Sequence, residues 1–193
     1  MVVNAPTTPP ARIRIVGTSG SGKSRLAEDV AARMHIARLE LDAVFWDAGW
    51  TYRNLEEARG RVRAFLAAHP EGWVADGNWN SRLGGLMEPG TAGGADVVVW
   101  VDHPRRVVMW RVLRRTLRRG ILREELWHGN RESVRSWLKW EPEDNIIRWA
   151  WTSYPGMRRR MEARIAAGDP VLRLRGQREV DDWVRSLAAG PAA

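Results

Sequence analysis

The chain has 193 residues, of which 44% are hydrophobic and 28% charged, a composition typical of a globular protein of about one domain. It contains no cysteine, which excludes disulfides, thiolate zinc sites, iron–sulfur clusters and a cysteine nucleophile. The four histidines do not have the spacing of a metal site. No apolar run approaches the roughly 20 residues of a membrane helix, and the N-terminus lacks a secretory pattern, which favours a soluble, cytoplasmic protein.

The chain is strongly basic. Lysine and arginine total 31 against 23 acidic residues, giving a formal net charge of +8. All of these cations except Lys23 and Lys139 are arginines. A positive balance attracts polyanions such as nucleic acid, anionic lipid or phosphate-bearing small molecules, and composition alone does not choose among them.

The apolar pattern predicts strands that alternate with helices. Residues 1–11 are expected to form a mobile leader and residues 188–193 a flexible tail. The predicted strands cover residues 13–16, 37–41, 73–75, 95–101 and 171–174, and the predicted helices residues 23–34, 54–68, 104–119, 145–167 and 179–187. Such alternation predicts an α/β fold with a five-stranded parallel sheet flanked by helices, in a single domain over residues 12–187.

The most specific motif is GTSGSGKS at residues 17–24, which matches GxxxxGK[ST] and lies between a predicted strand and a predicted helix. Its glycines allow successive backbone N–H groups to face one anion, and the helix N-terminus adds partial positive charge. Lys23 would reach the outer phosphates of a nucleotide, and the Ser24 hydroxyl would ligate Mg²⁺. The residues expected to bind the triphosphate are therefore Gly17, Thr18, Ser19, Gly20, Ser21, Gly22, Lys23 and Ser24.

Acidic residues end three of the predicted strands. The carboxyl ends of parallel strands meet at one edge of a sheet, where ligands bind. Asp76 and Asp102 are both candidates for a second metal ligand beside Ser24, and a helix N-cap is the alternative for each of them. Asp42 follows the predicted strand at residues 37–41.

Seven arginines crowd the predicted helix 104–119, whose buried stripe is expected to contain Val107, Trp110, Leu113 and Leu117. Arg111, Arg115 and Arg118 share one face of this helix by their i, i+4, i+7 spacing. A bound anion would relieve their mutual repulsion, which makes them candidate phosphate clamps. A solvated basic face, or a nucleic-acid surface with tryptophans that stack on bases, is the alternative.

Together these motifs resemble those of the adenylate-kinase-like P-loop kinases, most closely the FlaR-type topology-modulation proteins. The resemblance covers about residues 12–187 and is carried by the segments GTSGSGKS, LELDAVFWDAGW, WVADGNWNSR, VVVWVDHPRRVVMWRVLRR and RGQREVDDW. It implies a P-loop NTPase fold of the nucleoside monophosphate kinase type, with a small lid at about residues 120–145.

The resemblance also implies roles for individual residues. Arg111 and Arg115 would clamp the nucleotide and the phosphates in transfer, and Gly176 and Gln177 would pack against adenine. Asp76 would hold Mg²⁺ through water. The arginines expected to close over ATP from the lid and from the helix that leaves it are Arg123, Arg131, Arg135 and Arg148.

The acceptor side departs from adenylate kinases, which carry an arginine for the acceptor phosphate where this chain has Asn80. Asp42 instead resembles the carboxylate of kinases that act on alcohols, such as shikimate and gluconate kinases, where it can accept a hydroxyl proton. It would repel a phosphate unless Arg53, Arg59 or Arg82 offset its charge. Trp46, Trp50 and Trp79 would either wall a flat acceptor or pack in the core or lid. The expected acceptor-binding residues are Asp42, Trp46, Arg53, Asp76, Gly77, Asn78 and Arg82.

These observations predict an ATP- and Mg²⁺-dependent phosphotransferase that moves the γ-phosphoryl group to a small acceptor, with Lys23, Asp42, Arg111 and Arg115 as catalytic residues. We expect a nucleoside monophosphate as acceptor. One alternative is a metabolite hydroxyl with Asp42 as base, and another is a nucleotide-switched nucleic-acid-binding protein. The expected partners are ATP and the acceptor, with only nonspecific nucleic-acid binding and no membrane, in a monomer or homodimer.

Overall fold

The computed structural model describes residues 11–122, 124–131 and 145–187. Its five strands are β1 (Arg12–Val16), β2 (Ala37–Glu40), β3 (Trp73–Asp76), β4 (Val97–Val101) and β5 (Val171–Leu174). They form one sheet in the order β2-β3-β1-β4-β5, and every neighbouring pair is parallel. The α/β fold with a five-stranded parallel sheet is confirmed, and the carboxyl ends of all five strands lie along one edge.

Seven α-helices lie in the described part of the chain, together with short 3₁₀ turns at Ala48–Trp50 and Trp127–Gly129. They are α1 (Lys23–Met34), α2 (Leu41–Phe45), α3 (Leu55–Ala68), α4 (Asn80–Leu83), α5 (Arg105–Leu122), α6 (Ile146–Ala166) and α7 (Gly176–Ser186). None of the helices described is both long and apolar enough to cross a membrane.

Alternation along the strands distributes the core over the two faces of the sheet. Ile13, Ile15 and Val99 point toward α1 and α7, in a cluster that includes Leu26 and Val180. On the opposite face, Trp73 and Ala75 pack with residues of α2 and α3, whereas Val98 and Trp100 pack against Met157 and Met161 of α6. The three central strands, β1, β3 and β4, are therefore buried on both faces, whereas the edge strands β2 and β5 are mostly half-buried.

Two predicted boundaries are corrected by the structure. The second strand ends at Glu40, and Leu41 begins α2, so Asp42 lies in the first turn of a helix. Leu41 is fully buried beside α3. The pattern of residues 37–41 in the sequence did not reveal that a helix begins at this residue. The last helix begins at Gly176 instead of residue 179. Just before this start, the Arg175 backbone N–H donates to a carboxylate oxygen of Glu179 at 2.7 Å.

The predicted buried stripe of α5 is wrong. Trp110 is 64% exposed, and Leu113 and Leu117 are exposed as well. The buried face consists of Val108, Val112 and Thr116. Gly20 lies against this face so closely that a Cβ on it would be 2.4 Å from a methyl carbon of Val112. The helix has two apolar stripes, and the loop that packs beside it determines which is buried.

One arginine is completely buried in a central strand. Arg14 has no exposed surface, and its guanidinium donates to the Glu88 carboxylate at 2.5 Å and to the side-chain oxygen of Asn80. Glu88 also pairs with Arg164 at 2.7 Å. Burial lowers the pKa of Arg14, and the Glu88 charge opposes that shift. This network joins β1 to the loop after β3 and to α6.

Candidate functional site

The loop between β1 and α1 forms a compact turn that only glycine can build at several points. Gly20 and Gly22 have φ angles of +81° and +94°, and the Ser21 N–H donates to the Thr18 carbonyl at 3.0 Å. A Cβ on Gly17 would lie 2.6 Å from Ser21 Oγ and 2.9 Å from the Val101 carbonyl oxygen. The turn leads directly into the N-terminus of α1, an arrangement that suits anion binding.

Asn78 holds the first residue of this loop. Its amide nitrogen donates to the Gly17 carbonyl at 2.7 Å, and its amide oxygen accepts the Gly17 N–H at 3.3 Å. The preceding Gly77 has φ +138°, and a Cβ there would be 2.8 Å from Leu41 Cβ. The expected contacts of Gly77 and Asn78 with the acceptor stay predictions; in the structure, Asn78 supports the loop between β1 and α1. No sequence spacing indicated this contact.

Two arginines of α5 contact the same loop. Arg111 donates to the Ser21 carbonyl at 3.2 Å and to Gln177 Oε1 at 2.9 Å, and Arg115 donates to Ser19 Oγ at 3.0 Å. Their i, i+4 spacing therefore places both on the loop, as the shared face predicted. Arg118 turns away and pairs with Glu124 at 2.8 Å.

A cavity of about 240 Å³ lies beside the loop, at the junction of α1, α5 and α7. Ser21, Arg111 and Gln177 line it together with His103. Burial lowers the pKa of His103, as does the Arg111 charge, while Asp102 opposes the shift. Gly176 lines a different cavity, of about 440 Å³, with Asp102, Pro104, Arg158, Arg173 and Arg175.

The structure brings one of the two candidate metal carboxylates to Ser24. The Ser24 hydroxyl donates to Asp76 Oδ2 at 2.6 Å, and Asp76 Oδ1 accepts from Arg38 at 3.2 Å. Asp102 lies elsewhere, where its Oδ2 accepts two hydrogen bonds from Arg173 at 2.8 and 2.5 Å. Within the described ranges, no three His, Cys, Asp or Glu side chains form a metal cluster. Lys23 begins α1 and makes no ion pair with another described residue.

Glu40 lies next to the candidate site, and the sequence analysis did not single it out. It lies opposite Asp76 in the register of β2 and β3, and its pKa is raised by burial and by the charges of Asp76 and Asp42. A hydrogen bond from Trp127 and the charge of Arg38 oppose that shift. Arg38 also pairs with Glu28 at 3.1 Å. This end of the sheet is therefore predominantly negative.

Asp42 adjoins a group of aromatic rings. Its Oδ1 accepts the Trp79 indole N–H at 2.7 Å. Trp46 stacks on Tyr52 with ring centroids 4.7 Å apart and meets Trp79 edge-on at 5.4 Å. We call the connected rings the aromatic cluster; its members are Phe45, Trp46, Trp50, Tyr52, Trp79 and Trp127.

The arginines expected to offset Asp42 all hydrogen-bond to backbone carbonyls of the protein. Arg53 is 6% exposed and donates to the Val44 carbonyl at 2.9 Å and to Glu57 at 3.1 Å. Arg59 donates to the Arg82 carbonyl at 2.8 Å. Arg82 donates to the Arg53 carbonyl at 3.1 Å, and its guanidinium lies 4.8 Å from the Tyr52 ring centre. These side chains hold the segment around α2 and α3 in place.

The predicted lid is only partly described. Arg123 and Arg135 lie outside the described residues, so their proposed contacts stay predictions. Arg131 pairs with Glu125 at 3.4 Å, and Arg148 lies in the first turn of α6. Residues 124–131 contact the acceptor side, because Asn130 Oδ1 accepts the Trp50 backbone N–H at 2.9 Å.

No family model and no curated protein matches the sequence. Solved structures do match. A candidate kinase from Chloroflexus aurantiacus J-10-fl is 15% identical with a TM-score of 0.53, covering 92% of this chain and 96% of that chain. TT1252 from Thermus thermophilus is 13% identical with a TM-score of 0.52, covering 93% and 96%. A shikimate kinase from Bacteroides thetaiotaomicron is 14% identical with a TM-score of 0.48, covering 91% and 95%. At such identities the first two likenesses establish the fold alone, a parallel α/β fold; the closer resemblance to FlaR-type proteins stays a prediction.

Proposed function

We propose that this protein is a nucleotide- and Mg²⁺-dependent phosphotransferase of the kinase type that acts on a small molecule. The observation that carries the proposal is the convergence of three parts of the chain. The glycine-rich loop, the arginine pair of α5 and the Ser24–Asp76 pair meet at the carboxyl edge of the sheet.

The loop and its surroundings fit a nucleoside triphosphate. Its backbone N–H groups and the N-terminus of α1 supply partial positive charge, and Lys23, Arg111 and Arg115 supply full charges. The 240 Å³ cavity lined by Arg111 and Gln177 is suited to the base, since it opens directly beside the loop. A mononucleotide with its phosphates on the loop would occupy both features.

The Ser24–Asp76 pair fits Mg²⁺. This ion prefers oxygen ligands and is usually held by one or two carboxylates together with substrate phosphates. The Ser24 hydroxyl and the Asp76 carboxylate are 2.6 Å apart, so one cation can contact both. When bound, the ion would neutralise charge on the phosphates of the nucleotide.

Lys23, Arg111 and Arg115 would stabilise the negative charge that spreads over the oxygens of the moving phosphoryl group. Because Arg111 and Arg115 face the loop, the basic face of α5 is divided, and Arg114 and Arg118 remain on its outer side. This division favours a nucleotide site over the alternative nucleic-acid surface.

The test is the Lys23→Met variant, assayed for ATP binding by calorimetry with Mg²⁺ and for phosphoryl transfer or ATP hydrolysis. Removing a charge that acts on the transferred group is expected to lower turnover by about 10³-fold or more. The control is Arg178→Met, because Arg178 is almost fully exposed on α7 and its loss should leave turnover unchanged. Failure of the folded wild-type protein to bind ATP or GTP, or full turnover by Lys23→Met, would refute the proposal.

A further inference from the structure

We infer that the outer face of α5 binds the surface of an anionic phospholipid bilayer, so that the protein attaches peripherally to a membrane. This face lies apart from the candidate nucleotide site, and its binding does not depend on the proposed function. Attachment to a membrane also differs from the expectation of no membrane partner that the sequence suggested. Exposed apolar side chains and a single sign of charge on the helix carry the inference.

An apolar stripe runs along the side of α5 that faces away from the protein. Its members lie three or four positions apart and are all exposed; they are Trp110, Leu113, Leu117 and Ile121. Trp110 is 64% exposed and Ile121 74%. On roughly the opposite side of the helix axis lie the buried residues Val108, Val112 and Thr116. Contiguous exposed apolar patches mark protein or membrane binding surfaces, whereas single exposed apolar residues need no partner.

Positive charge borders this stripe. The helix contains seven arginines and no acidic residue. Arg106, Arg114 and Arg118 are exposed on its outer side. Arg118 pairs with Glu124 at 2.8 Å, whereas Arg106 and Arg114 form no ion pair with another described residue. The outer face of α5 therefore combines apolar side chains with cations that are available to a partner.

These properties fit an anionic bilayer. Helices with tryptophan and aliphatic residues beside arginines bind in the plane of the lipid interface. Lipid phosphates would meet Arg106 and Arg114, while Leu117 and Ile121 would enter the boundary between head groups and acyl chains. Tryptophan is favoured at the same depth, which suits Trp110. A flat bilayer can also meet the outer ridge of one helix along its whole length without a complementary groove.

Other partners fit this face less well. A symmetric contact between two copies of the chain would place arginines against arginines, and like charges repel. Duplex nucleic acid would pair its phosphates with the arginines but leave Leu117 and Ile121 without an apolar partner. An amphipathic peptide helix usually docks in a hydrophobic groove, whereas the stripe lies on the outer side of a single helix.

Binding at this face leaves the candidate nucleotide site open. Arg111 and Arg115 lie on another side of α5, where they donate to Ser21 and Ser19 of the loop between β1 and α1. The bilayer and the nucleotide would therefore use different side chains of the same helix. Changes to the stripe are expected to alter membrane binding without altering ATP affinity.

The experiment is sedimentation of the full chain with vesicles of two compositions: phosphatidylglycerol mixed equally with phosphatidylcholine, and phosphatidylcholine alone. In low salt, we expect binding to the anionic vesicles to be about tenfold tighter or more, because each arginine near an anionic surface adds about fivefold. Added salt should weaken this binding by screening the charges. Absence of binding to the anionic vesicles, or equal binding to both compositions, would overturn the inference.

The apolar stripe is tested by Leu117→Ser combined with Ile121→Ser. Affinity for the anionic vesicles should fall by about tenfold or more, since less apolar surface enters the lipid. The thermal unfolding midpoint and ATP affinity should stay unchanged, because both side chains are exposed. Ile165→Ser is the control, because it removes an exposed apolar side chain from α6. Unchanged vesicle binding in the stripe variant, or an equal loss in Ile165→Ser, would overturn the inference.

The charges are tested by Arg106→Gln combined with Arg114→Gln. In low salt, affinity for the anionic vesicles should fall by about 25-fold, and this difference should shrink as salt is added. Arg178→Gln combined with Arg185→Gln is the matched control, because it removes the same charge from exposed positions on α7. Equal losses in the two double variants would overturn the inference.

Three probes distinguish the other partners of this face. Light scattering reports a second copy, and titrations with duplex DNA and with an acidic amphipathic peptide report the remaining two. We expect no dimer, and weaker binding of both probes than of anionic vesicles at the same salt. A dimer that disappears in the Leu117→Ser and Ile121→Ser variant, or tighter binding of either probe that this variant abolishes, would overturn the inference and assign the face to that partner.

Discussion

Replacing Asn78 by alanine tests whether a single amide keeps the phosphate loop in its binding shape. The side chain makes two hydrogen bonds with Gly17, at 2.7 and 3.3 Å. At a net 0.5–1.5 kcal/mol for each bond, their loss should lower the free energy of unfolding by about 1–3 kcal/mol. For a protein of this size, the midpoint of thermal unfolding should fall by about 2–4 °C for each kcal/mol.

The functional consequence is expected in nucleotide affinity. Without the amide, Gly17 must be ordered again when the nucleotide binds, so part of the binding free energy is lost. A loss of about 1.4 kcal/mol corresponds to tenfold weaker ATP binding, which calorimetry with Mg²⁺ can measure. Asn78→Asp provides a second measurement, because its ionised oxygen faces the Gly17 carbonyl and only the protonated acid can donate to it. Its stability should therefore improve on acidification relative to that of Asn78→Ala.

The matched control is Asn54→Ala. Asn54 caps α3, because its side-chain oxygen accepts hydrogen bonds from the backbone N–H groups of Glu56 and Glu57 at 3.0 and 3.2 Å. This residue is separated in sequence from the loop at residues 17–24. Loss of this cap should cost about 0.5–2 kcal/mol and leave ATP affinity unchanged. If Asn78→Ala bound ATP as tightly as Asn54→Ala does, the reasoning about the loop would be refuted.

Three further predictions concern carboxylates. Glu88→Ala leaves the buried charge of Arg14 without its carboxylate partner. The free energy of unfolding, measured in urea, should therefore fall by about 3–5 kcal/mol. A decrease below about 1 kcal/mol would contradict the role of the pair. Burial raises the pKa of Glu40 in the folded protein above its ordinary value of 4.5. The side chain therefore contributes fully to the stability of the fold below pH 4.5, and this contribution is lost as the pH rises through the raised pKa. Glu40→Gln should therefore be more stable than the wild type at neutral pH and lose that advantage in acid; a pH-independent difference would exclude this cause. Asp76→Asn should raise the Mg²⁺ concentration for half-maximal activity by about tenfold or more, whereas Asp102→Asn should leave it unchanged. If Asp102→Asn raised this concentration and Asp76→Asn did not, the metal site would be reassigned to Asp102.

Local sequence patterns predicted much of the fold. The glycines, Lys23 and Ser24 of the loop between β1 and α1 lie within the eight consecutive residues 17–24, so the motif and its place between a strand and a helix are visible without tertiary information. The i, i+4 spacing of Arg111 and Arg115 likewise put both on one face, and the structure turns that face toward the loop. The helix predicted over residues 54–68 is also present, as α3 with Asn54 as its N-cap.

Contacts between distant segments could not be predicted in this way. Asn78 meets Gly17 across 61 positions, and Arg14 is paired across 74 positions with Glu88. Glu40 gains its importance only because β2 lies beside β3 and places it opposite Asp76. On α5, the sequence predicted a buried stripe with Trp110, Leu113 and Leu117, whereas Val108 and Val112 are buried, where Gly20 approaches the helix.

The chain by itself therefore determined the class of fold and the position of the glycine-rich loop, because both depend on residues that are neighbours in sequence or along one helix. Only the tertiary structure decided which aspartate adjoins Ser24 and which arginines are already committed. It also placed Glu40 opposite Asp76 and the Trp79 indole on the Asp42 carboxylate. These properties depend on which strand ends and loops meet at one edge of the sheet, and the packing of the whole domain sets that geometry.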